Sequence, residues 1–407
     1  MSLGRAQDPS PVARYLLALL QDKPRLDLPD LGERQSEDLV RLASTHGVAA
    51  LAHDALARSG LASKLAPPAR DRLAKLRLEA TMQHLLTSAD LGRLATTLDA
   101  GGAVWAVMKG PALTYLGYGD PTLRWSSDLD VLVRPSQFGT AIDALVEAGA
   151  TLLDLNWSLQ LDMMRAEASL RLPLGTLLDL HWHPVNDARA RSTTRLDIDT
   201  MLDRRRLVPN DARLPLMCLG PVDNMTLVAL HASLSGGHRL VWAKDIERLA
   251  RRDPPDWQEL AELAAHEHVA LPVGVMLRRA ARLLGADIPS GTLRSLLGGR
   301  DQTAVWSAGE RFASPRTLGG CMSSGRAFMS SLRASPWQTA MAMATNARSH
   351  VLGDSGLRHR TQGKVARDDL TPGNPLHRAR GGEQAKKDYL AAIAVDSRRP
   401  QTHKAHS

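Results

Sequence analysis

The chain has 407 residues, a length that suggests two or three domains or one domain with helical additions, and its 43% hydrophobic and 23% charged residues are ordinary for a soluble globular protein. Its two cysteines, Cys218 and Cys321, are too few for a disulfide framework or a cysteine zinc site and favour a reducing compartment. The net charge of +8 does not indicate nucleic-acid binding, because residues 348–407 hold 12 Lys and Arg against 6 Asp and Glu while the rest is nearly balanced.

Targeting and membrane segments are not predicted. Residues 1–25 contain only a short apolar patch and no small-residue cleavage site. No stretch reaches the ~18 consecutive apolar residues that a membrane span requires. We therefore expect a cytoplasmic protein with no membrane partner.

Residues 1–100 are predicted to form a helical region. From residue 11 onward, apolar side chains recur near i, i+3, i+4 and i+7, and glycine closes two of the segments. The period changes at "AVWAVMKG" (103–110), which predicts a strand that enters a turn. The first 100 residues are therefore expected to differ in architecture from the segment after them.

A small α/β unit is predicted over residues 101–205. After the first strand, "DLDVLVRP" (128–135) predicts a second strand and "QFGTAIDALVEAGA" (137–150) a helix. The segment "ASLRLPLGTLLDLHWHP" (168–184) predicts a hairpin that turns near Leu174-Gly175.

Helical spacing returns near residue 223, so residues 206–350 are predicted to be a second helical region. Residues 351–407 are polar, basic and rich in turn residues, which predicts a largely disordered tail with one short helix at "KKDYLAAIAV". The expected fold class is α+β, a small mixed-sheet domain flanked by N- and C-terminal helical regions.

Two carboxylates begin the second predicted strand. Asp128 and Asp130 are two residues apart, so they share one face of the strand at roughly 6.5–7 Å. Two like charges this close repel unless a cation lies between them, and a hard divalent cation such as Mg²⁺ or Mn²⁺ suits oxygen ligands. The alternative is an exposed strand start with two solvated aspartates.

The predicted hairpin carries a third carboxylate. Asp179, His181 and His183 share one strand face, and a neighbouring strand lies only ~4.8 Å away. Asp179 can therefore complete a cluster with Asp128 and Asp130, which can hold metal ions for an in-line displacement at phosphorus. His181 is interpreted as orienting a metal-bound carboxylate or the substrate. A zinc site on the two histidines is the alternative, without a visible third ligand.

Positive charge precedes the aspartates. Lys109 and Arg124 can balance phosphate charge, and Gly110 lets backbone N–H groups approach an anion. Ser127 can reach a phosphate or cap the turn. The alternatives are a surface lysine at 109 and, at Arg124, a structural partner of a nearby aspartate.

Further candidates lie in the second helical region. His231, Trp242 and Asp245 are kept as acceptor-side candidates, because a helical region beside a sheet often completes a cleft. Core or capping roles are the alternative for all three. The segment "GCMSSGRA" (320–327) is rejected as a phosphate-binding loop, because it lacks the lysine and hydroxyl of that motif and no strand precedes it.

The order Lys-Gly, Arg-x-x-Ser-Asp-x-Asp with apolar residues after it, and Asp-Leu-His-Trp resembles the DNA polymerase β-like nucleotidyltransferase superfamily. More closely, it resembles the bacterial uncharacterised nucleotidyltransferase family with the Lys-Gly signature, whose members occur in biosynthetic clusters for peptides and polysaccharides. The resemblance covers about residues 30–345 and includes "HASLSGGHRLVWAKDIERL" (231–249).

The resemblance implies a polymerase β-like domain in which Asp128 and Asp130 are the metal-binding pair and Asp179 is the third carboxylate. It implies transfer of a nucleoside monophosphate from an NTP, with ATP the expected donor, to a small-molecule or peptide acceptor. Lys109 and Gly110 stand where the superfamily usually has Gly-Ser at the triphosphate. A non-catalytic, antitoxin-like scaffold with the same fold and a metal-dependent phosphotransferase are the alternative functions.

Overall fold

The protein is an α+β molecule in which helices precede and follow a mixed sheet, as the sequence predicted. The structure, a computed structural model, describes residues 10–21, 27–208, 216–298, 328–334, 336–351 and 374–397. The candidate loop at 320–327 lies outside these residues.

Helices form the N-terminal region, and the predicted helical period over residues 11–100 is confirmed. They are α1 (Pro11–Leu20), α2 (Glu33–Thr45), α3 (Ala49–Arg58) and α4 (Pro67–Ala100). The Ser10 side chain caps α1 by accepting from the Ala13 N–H at 3.1 Å. Proline begins both α1 and α4, where its missing N–H would have had no helical partner.

A seven-stranded mixed sheet comes next in the described part of the chain. Its strands are β1 (Trp105–Val107), β2 (Leu129–Val133), β3 (Thr151–Leu152), β4 (Glu167–Arg171), β5 (Leu177–His181), β6 (Arg206–Val208) and β7 (Leu216–Cys218). The spatial order is β3-β4-β5-β2-β1-β7-β6. The predicted strands near residues 103–110 and 128–135 are therefore confirmed.

The central strand β2 has neighbours on both sides, antiparallel β1 and parallel β5. Every residue of β2 is buried, which explains its unbroken apolar run apart from Asp130. β4 and β5 form the predicted hairpin, and Gly175 supplies the left-handed φ of +95° in its turn.

Three strands were not predicted. β3, β6 and β7 have only two or three residues, too few for an alternating pattern to be visible. β6 and β7 also lie beyond residue 205, so the sheet extends into the segment that was predicted to be helical. β7 joins β1 in parallel at the Val107–Cys218 pair.

Short helical segments connect the strands. They are α5 (Pro111–Leu113), a π-helical turn (Thr114–Tyr118), α6 (Phe138–Glu147), α7 (Trp157–Met163), α8 (Ala188–Arg191) and α9 (Ile198–Asp203). The helix predicted over 137–150 is confirmed as α6. The π-helical turn places the segment after β1 against the C-terminal helices.

The C-terminal region is helical over its described residues. It contains α10 (Pro221–Leu234), α11 (Leu240–Arg252), α12 (Trp257–His266), α13 (Ala270–Leu284), α14 (Ser290–Leu297), α15 (Pro336–Val351) and α16 (Gly382–Asp396). None of the helices in the described ranges combines the length and the apolarity that a bilayer crossing needs.

The described part of the predicted tail is folded. The helix expected at "KKDYLAAIAV" is present and extends over the whole of α16, which packs on α7. Tyr389 and Ile393, four residues apart, are 0% and 1% exposed, so one face of α16 is buried. This pair is too brief a signal to stand out in a segment that is otherwise polar.

The three regions share one hydrophobic core. Buried apolar side chains from the N-terminal helices, the sheet and the C-terminal helices form a continuous cluster. The sheet is therefore held between two helical regions, and the ends of β2 and β5 face the segment after β1.

Candidate active site

Two carboxylates meet at the parallel pair β2–β5. Asp130 and Asp179 are direct register partners, with Asp130 buried and Asp179 half-buried. Ligand atoms of Asp130, Asp179 and His181 all lie within 4.8 Å of one another. The sheet thus brings together two of the three carboxylates that the sequence singled out, with Asp128 at the start of the same strand.

Lys109 provides a counter-charge inside this cluster. Its Nζ lies 2.8 Å from Asp130 Oδ1 and 3.2 Å from His231 Nδ1. Because an ammonium group has only donors, His231 Nδ1 accepts and the ring proton is on Nε2, which faces Ser235 Oγ at 3.4 Å. His231, a candidate from the helical region, is therefore a direct neighbour of the site lysine.

This ion pair fixes the charge states of its members. Burial raises the pKa of Asp130, but Lys109 and then His181 outweigh burial, and the net pKa is well below its ordinary value. Burial lowers the pKa of Lys109, and the attraction of Asp130 reverses this to a net increase. Burial and then the charge of Lys109 lower the pKa of His231 to about 3, so its ring is neutral at pH 7.

The other two carboxylates are not neutralised by the lysine, and they resist ionisation. Burial, and next the charge of Asp130, raise the pKa of Asp128 to about 6. Burial, and next the charge of Glu167, raise the pKa of Asp179 well above its ordinary value. Ionising all of these groups together therefore requires a further cation.

The residues present fit a hard divalent cation. The donors are carboxylate oxygens, which Mg²⁺ and Mn²⁺ prefer, and the raised pKa values of Asp128 and Asp179 show that ionising both requires more positive charge than Lys109 supplies. His181 Nε2 lies 3.1 Å from Asp130 Oδ1, and since a carboxylate only accepts, the imidazole donates to it. His183 Nδ1 accepts from the Val185 N–H at 3.0 Å, so a two-histidine zinc site has no support here.

Two residues of β4 join the site and were missed from the sequence. Ser169 Oγ donates to Asp179 Oδ1 at 2.7 Å, and Glu167 Oε2 lies 3.5 Å from His181 Nδ1. Glu167 also pairs with Arg165 at 2.6 Å. Both residues could have been predicted from the sequence, because polar Glu167 and Ser169 alternate with apolar neighbours. In the hairpin they pair with His181 and Asp179.

Gly110 permits the loop before β2 to approach the segment after β1. Its φ is +55°, and a Cβ there would lie 3.1 Å from Ser126 Oγ and 3.3 Å from the Asp128 carbonyl oxygen. Ser126 Oγ in turn donates to the Asp128 carbonyl at 2.9 Å. Only glycine fits both the dihedral and the space, and Ser127 hydrogen-bonds Asp128 from within the same loop.

Arg124 is paired rather than directed at the carboxylate cluster. Its guanidinium makes two hydrogen bonds, of 2.8 and 2.9 Å, to the Asp245 carboxylate of α11. Tyr118 Oη donates to the same carboxylate at 2.7 Å. Arg124 is therefore the structural partner of an aspartate, which was the alternative to phosphate binding. That aspartate lies in the C-terminal region and not near Arg124 in the sequence.

Trp242 contributes an aromatic face next to His231. The two rings lie edge to face with centroids 6.0 Å apart, and His238 packs on Trp242 at 5.2 Å. Trp242 is half-buried. Among the helical candidates, His231 and Trp242 therefore adjoin Lys109, whereas Asp245 supports Arg124.

A family profile described as "Uncharacterised nucleotidyltransferase" matches residues 32–285, more than half of the chain. This range contains the seven described strands, the carboxylate cluster and helices α10 and α11. No curated protein matches the chain.

Proposed function

This chain belongs to the uncharacterised nucleotidyltransferase family and is a nucleotidyltransferase, and we propose that it transfers a nucleoside monophosphate from an NTP to a hydroxyl group of a small molecule or peptide. ATP is the proposed donor. The observation that carries the proposal is the register pairing of Asp130 with Asp179, with more negative charge than Lys109 neutralises.

The proposed reaction is an in-line displacement at the α-phosphorus. A bond forms from the acceptor oxygen to the α-phosphorus, the bond to the bridging oxygen of the β-phosphate breaks, and pyrophosphate leaves. The acceptor proton passes to Asp179. Burial and the neighbouring carboxylates raise its pKa, so Asp179 accepts the proton only when a bound cation keeps it ionised.

Asp128, Asp130 and Asp179 are the proposed ligands of Mg²⁺ or Mn²⁺. When bound, such an ion supplies positive charge at the phosphate oxygens and orients them for displacement. His181 holds Asp130 in place through the 3.1 Å hydrogen bond, and Ser169 does the same for Asp179.

Lys109 is the proposed phosphate-binding residue. Its ammonium group lies 2.8 Å from Asp130 and is therefore next to the carboxylates that are proposed to bind the metal ion. A cation bound by the carboxylates would release this contact, and the side chain can then donate to the triphosphate. His231, neutral and next to Lys109, and the half-buried Trp242 form the proposed acceptor side.

Product analysis tests the reaction class without knowledge of the acceptor. Incubation of each NTP with Mg²⁺ lets water replace the acceptor slowly, and phosphorus NMR then identifies the products. Nucleotidyl transfer gives a nucleoside monophosphate and pyrophosphate, with ATP consumed fastest. Formation of a nucleoside diphosphate would instead indicate a metal-dependent phosphotransferase and overturn the proposal.

A further inference from the structure

A second cleft lies between α3, the π-helical turn and α11. It has a volume of about 450 Å³, which is within the size range of small-molecule sites. Four arginines from the described part of the chain line it, namely Arg58, Arg248, Arg251 and Arg252. We propose that this arginine cleft binds a phosphate group carried by a small molecule.

The segment "LGYGD" (116–120) contains two glycines that lie close to these arginines. A Cβ at Gly119 would lie 2.7 Å from Arg252 Nη1, and one at Gly117 would lie 3.1 Å from Arg248 Cβ. Gly119 also has a φ of +74°, which other residues rarely adopt. The two glycines therefore let the arginine-bearing face of α11 approach the π-helical turn.

One arginine is oriented by an aromatic ring. The Arg248 guanidinium lies over the Tyr118 ring, 5.7 Å from its centroid. Tyr118 is itself buried and fixed by its hydrogen bond to Asp245 at 2.7 Å. The wall of the cleft is thus held in place before any ligand binds, which lowers the entropic cost of binding.

The charge of the cleft matches a dianion. Two carboxylates also line it, and each has an arginine partner: Asp54 pairs with Arg58 at 2.6 Å and Asp120 with Arg77 at 2.7 Å. Glu247 lies 3.7 Å from two of the lining arginines and is paired with Lys244 at 2.6 Å. Six cationic side chains therefore face three carboxylates, and this excess of positive charge suits a phosphate monoester, which carries about −1.5 to −2 at pH 7.

Guanidinium groups are suited to this ligand because they donate parallel hydrogen bonds to two oxygens of one phosphate. The cleft shares no lining residue with the carboxylate cluster, and Tyr118, which lines the cleft, contacts Asp245, the partner of Arg124.

Isothermal titration calorimetry on the full chain tests the site, with inorganic phosphate and pyrophosphate as probes in metal-free buffer of low ionic strength. The variant Arg58→Gln/Arg252→Gln changes two exposed side chains, so the fold should be retained. The matched control Arg34→Gln/Arg72→Gln removes the same charge at exposed positions outside the cleft. Lys109→Met, shown by thermal unfolding to be folded at the temperature of the titration, tests whether the anion binds instead at the carboxylate site.

We expect the cleft variant to bind phosphate roughly tenfold or more weakly per arginine removed, with the control and Lys109→Met unchanged. No binding by the wild type at millimolar phosphate would overturn the proposal. So would loss in Lys109→Met with no change in the cleft variant. Equal affinity for a dicarboxylate such as malonate would contradict the assignment to phosphate.

Discussion

At the scale of single residues, the two register-paired aspartates differ in their partners. Asp130 is neutralised by Lys109 and bonded by His181, whereas Asp179 has Ser169 as its hydrogen-bond donor and carboxylates as its charged neighbours. Removing the charge of one or the other should therefore have opposite effects on stability.

Asp130→Asn should lower the free energy of unfolding by about 3–5 kcal/mol, because Lys109 would stay buried without its counter-charge. Asp179→Asn should raise the melting temperature in metal-free buffer, because it removes a repelled charge and keeps the acceptor for Ser169. Thermal unfolding at about pH 8 checks both. An equal loss in the two variants would contradict these charge assignments.

The raised pKa of Asp128 predicts a pH dependence. The folded-state pKa, about 6, is above the ordinary 3.8, so metal-free stability should fall as pH rises through this window. Mg²⁺ must displace this proton, so Asp128 should weaken the Mg²⁺ affinity about tenfold for each pH unit below 6, and the proton of Asp179, whose pKa is also raised, adds to this loss. Titration of Mg²⁺ at several pH values measures this. An affinity that is flat with pH would exclude Asp128 as a ligand with this pKa.

At the scale of elements, the loop before β2 is fixed to α11 by Arg124 and Asp245. The Arg124 side chain is 9% exposed and that of Asp245 1%, so the pair is shielded from solvent. It connects the loop that carries Asp128 to the helix that carries Trp242, which makes the site dependent on two regions of the chain.

Breaking this pair should be costly. Arg124→Gln and Asp245→Asn should each lower the free energy of unfolding by about 3–5 kcal/mol, and the double variant by less than the sum. Urea unfolding of all three measures the coupling. Asp38→Asn, which removes the exposed pair with Arg41, is the matched control and should cost about 1 kcal/mol or less. Additive losses would show that the pair is not coupled.

The sequence predicted the elements of the site better than its contacts. β2 and the hairpin were visible from apolar runs and turn residues, so the closeness of Asp130 and Asp179 could be predicted. The partner of Arg124 lies 121 residues later and could not be, because no local pattern encodes a contact between distant segments. β6 and β7 were missed because three residues give no readable period; β1 is equally short and was visible only through the longer apolar run that contains it and the turn that ends it.

At the scale of the whole molecule, the C-terminal helix α16 is part of the folded unit. Tyr389 Oη donates to the Arg165 carbonyl at 2.6 Å and lies 3.1 Å from Trp182 Nε1. Tyr389 thus contacts Trp182, which directly follows β5, the strand that carries Asp179. The packing of α16 could not be predicted from the composition of the tail, because a few buried apolar residues hardly change the average of a long polar and basic segment.

Tyr389→Ala should lower the free energy of unfolding by about 3–5 kcal/mol, because it leaves a cavity and removes a hydrogen-bond partner of the buried indole N–H. Since all regions share one core, a single unfolding transition should shift as a whole. Lys387→Ala, exposed on the same helix, should have little effect. A separate early transition in Tyr389→Ala would show that α16 unfolds independently.

The central claim is that Asp130 and Asp179 form a metal-dependent nucleotide site. Calorimetric titration of ATP, with and without Mg²⁺, tests it most directly in the Arg58→Gln/Arg252→Gln protein, where the arginine cleft does not contribute, with and without Asp179→Asn. We predict binding only when Mg²⁺ is present and only when Asp179 is intact, although the Asp179→Asn protein is folded and at least as stable. Equal ATP affinity in the two proteins, or binding that does not require Mg²⁺, would contradict the account.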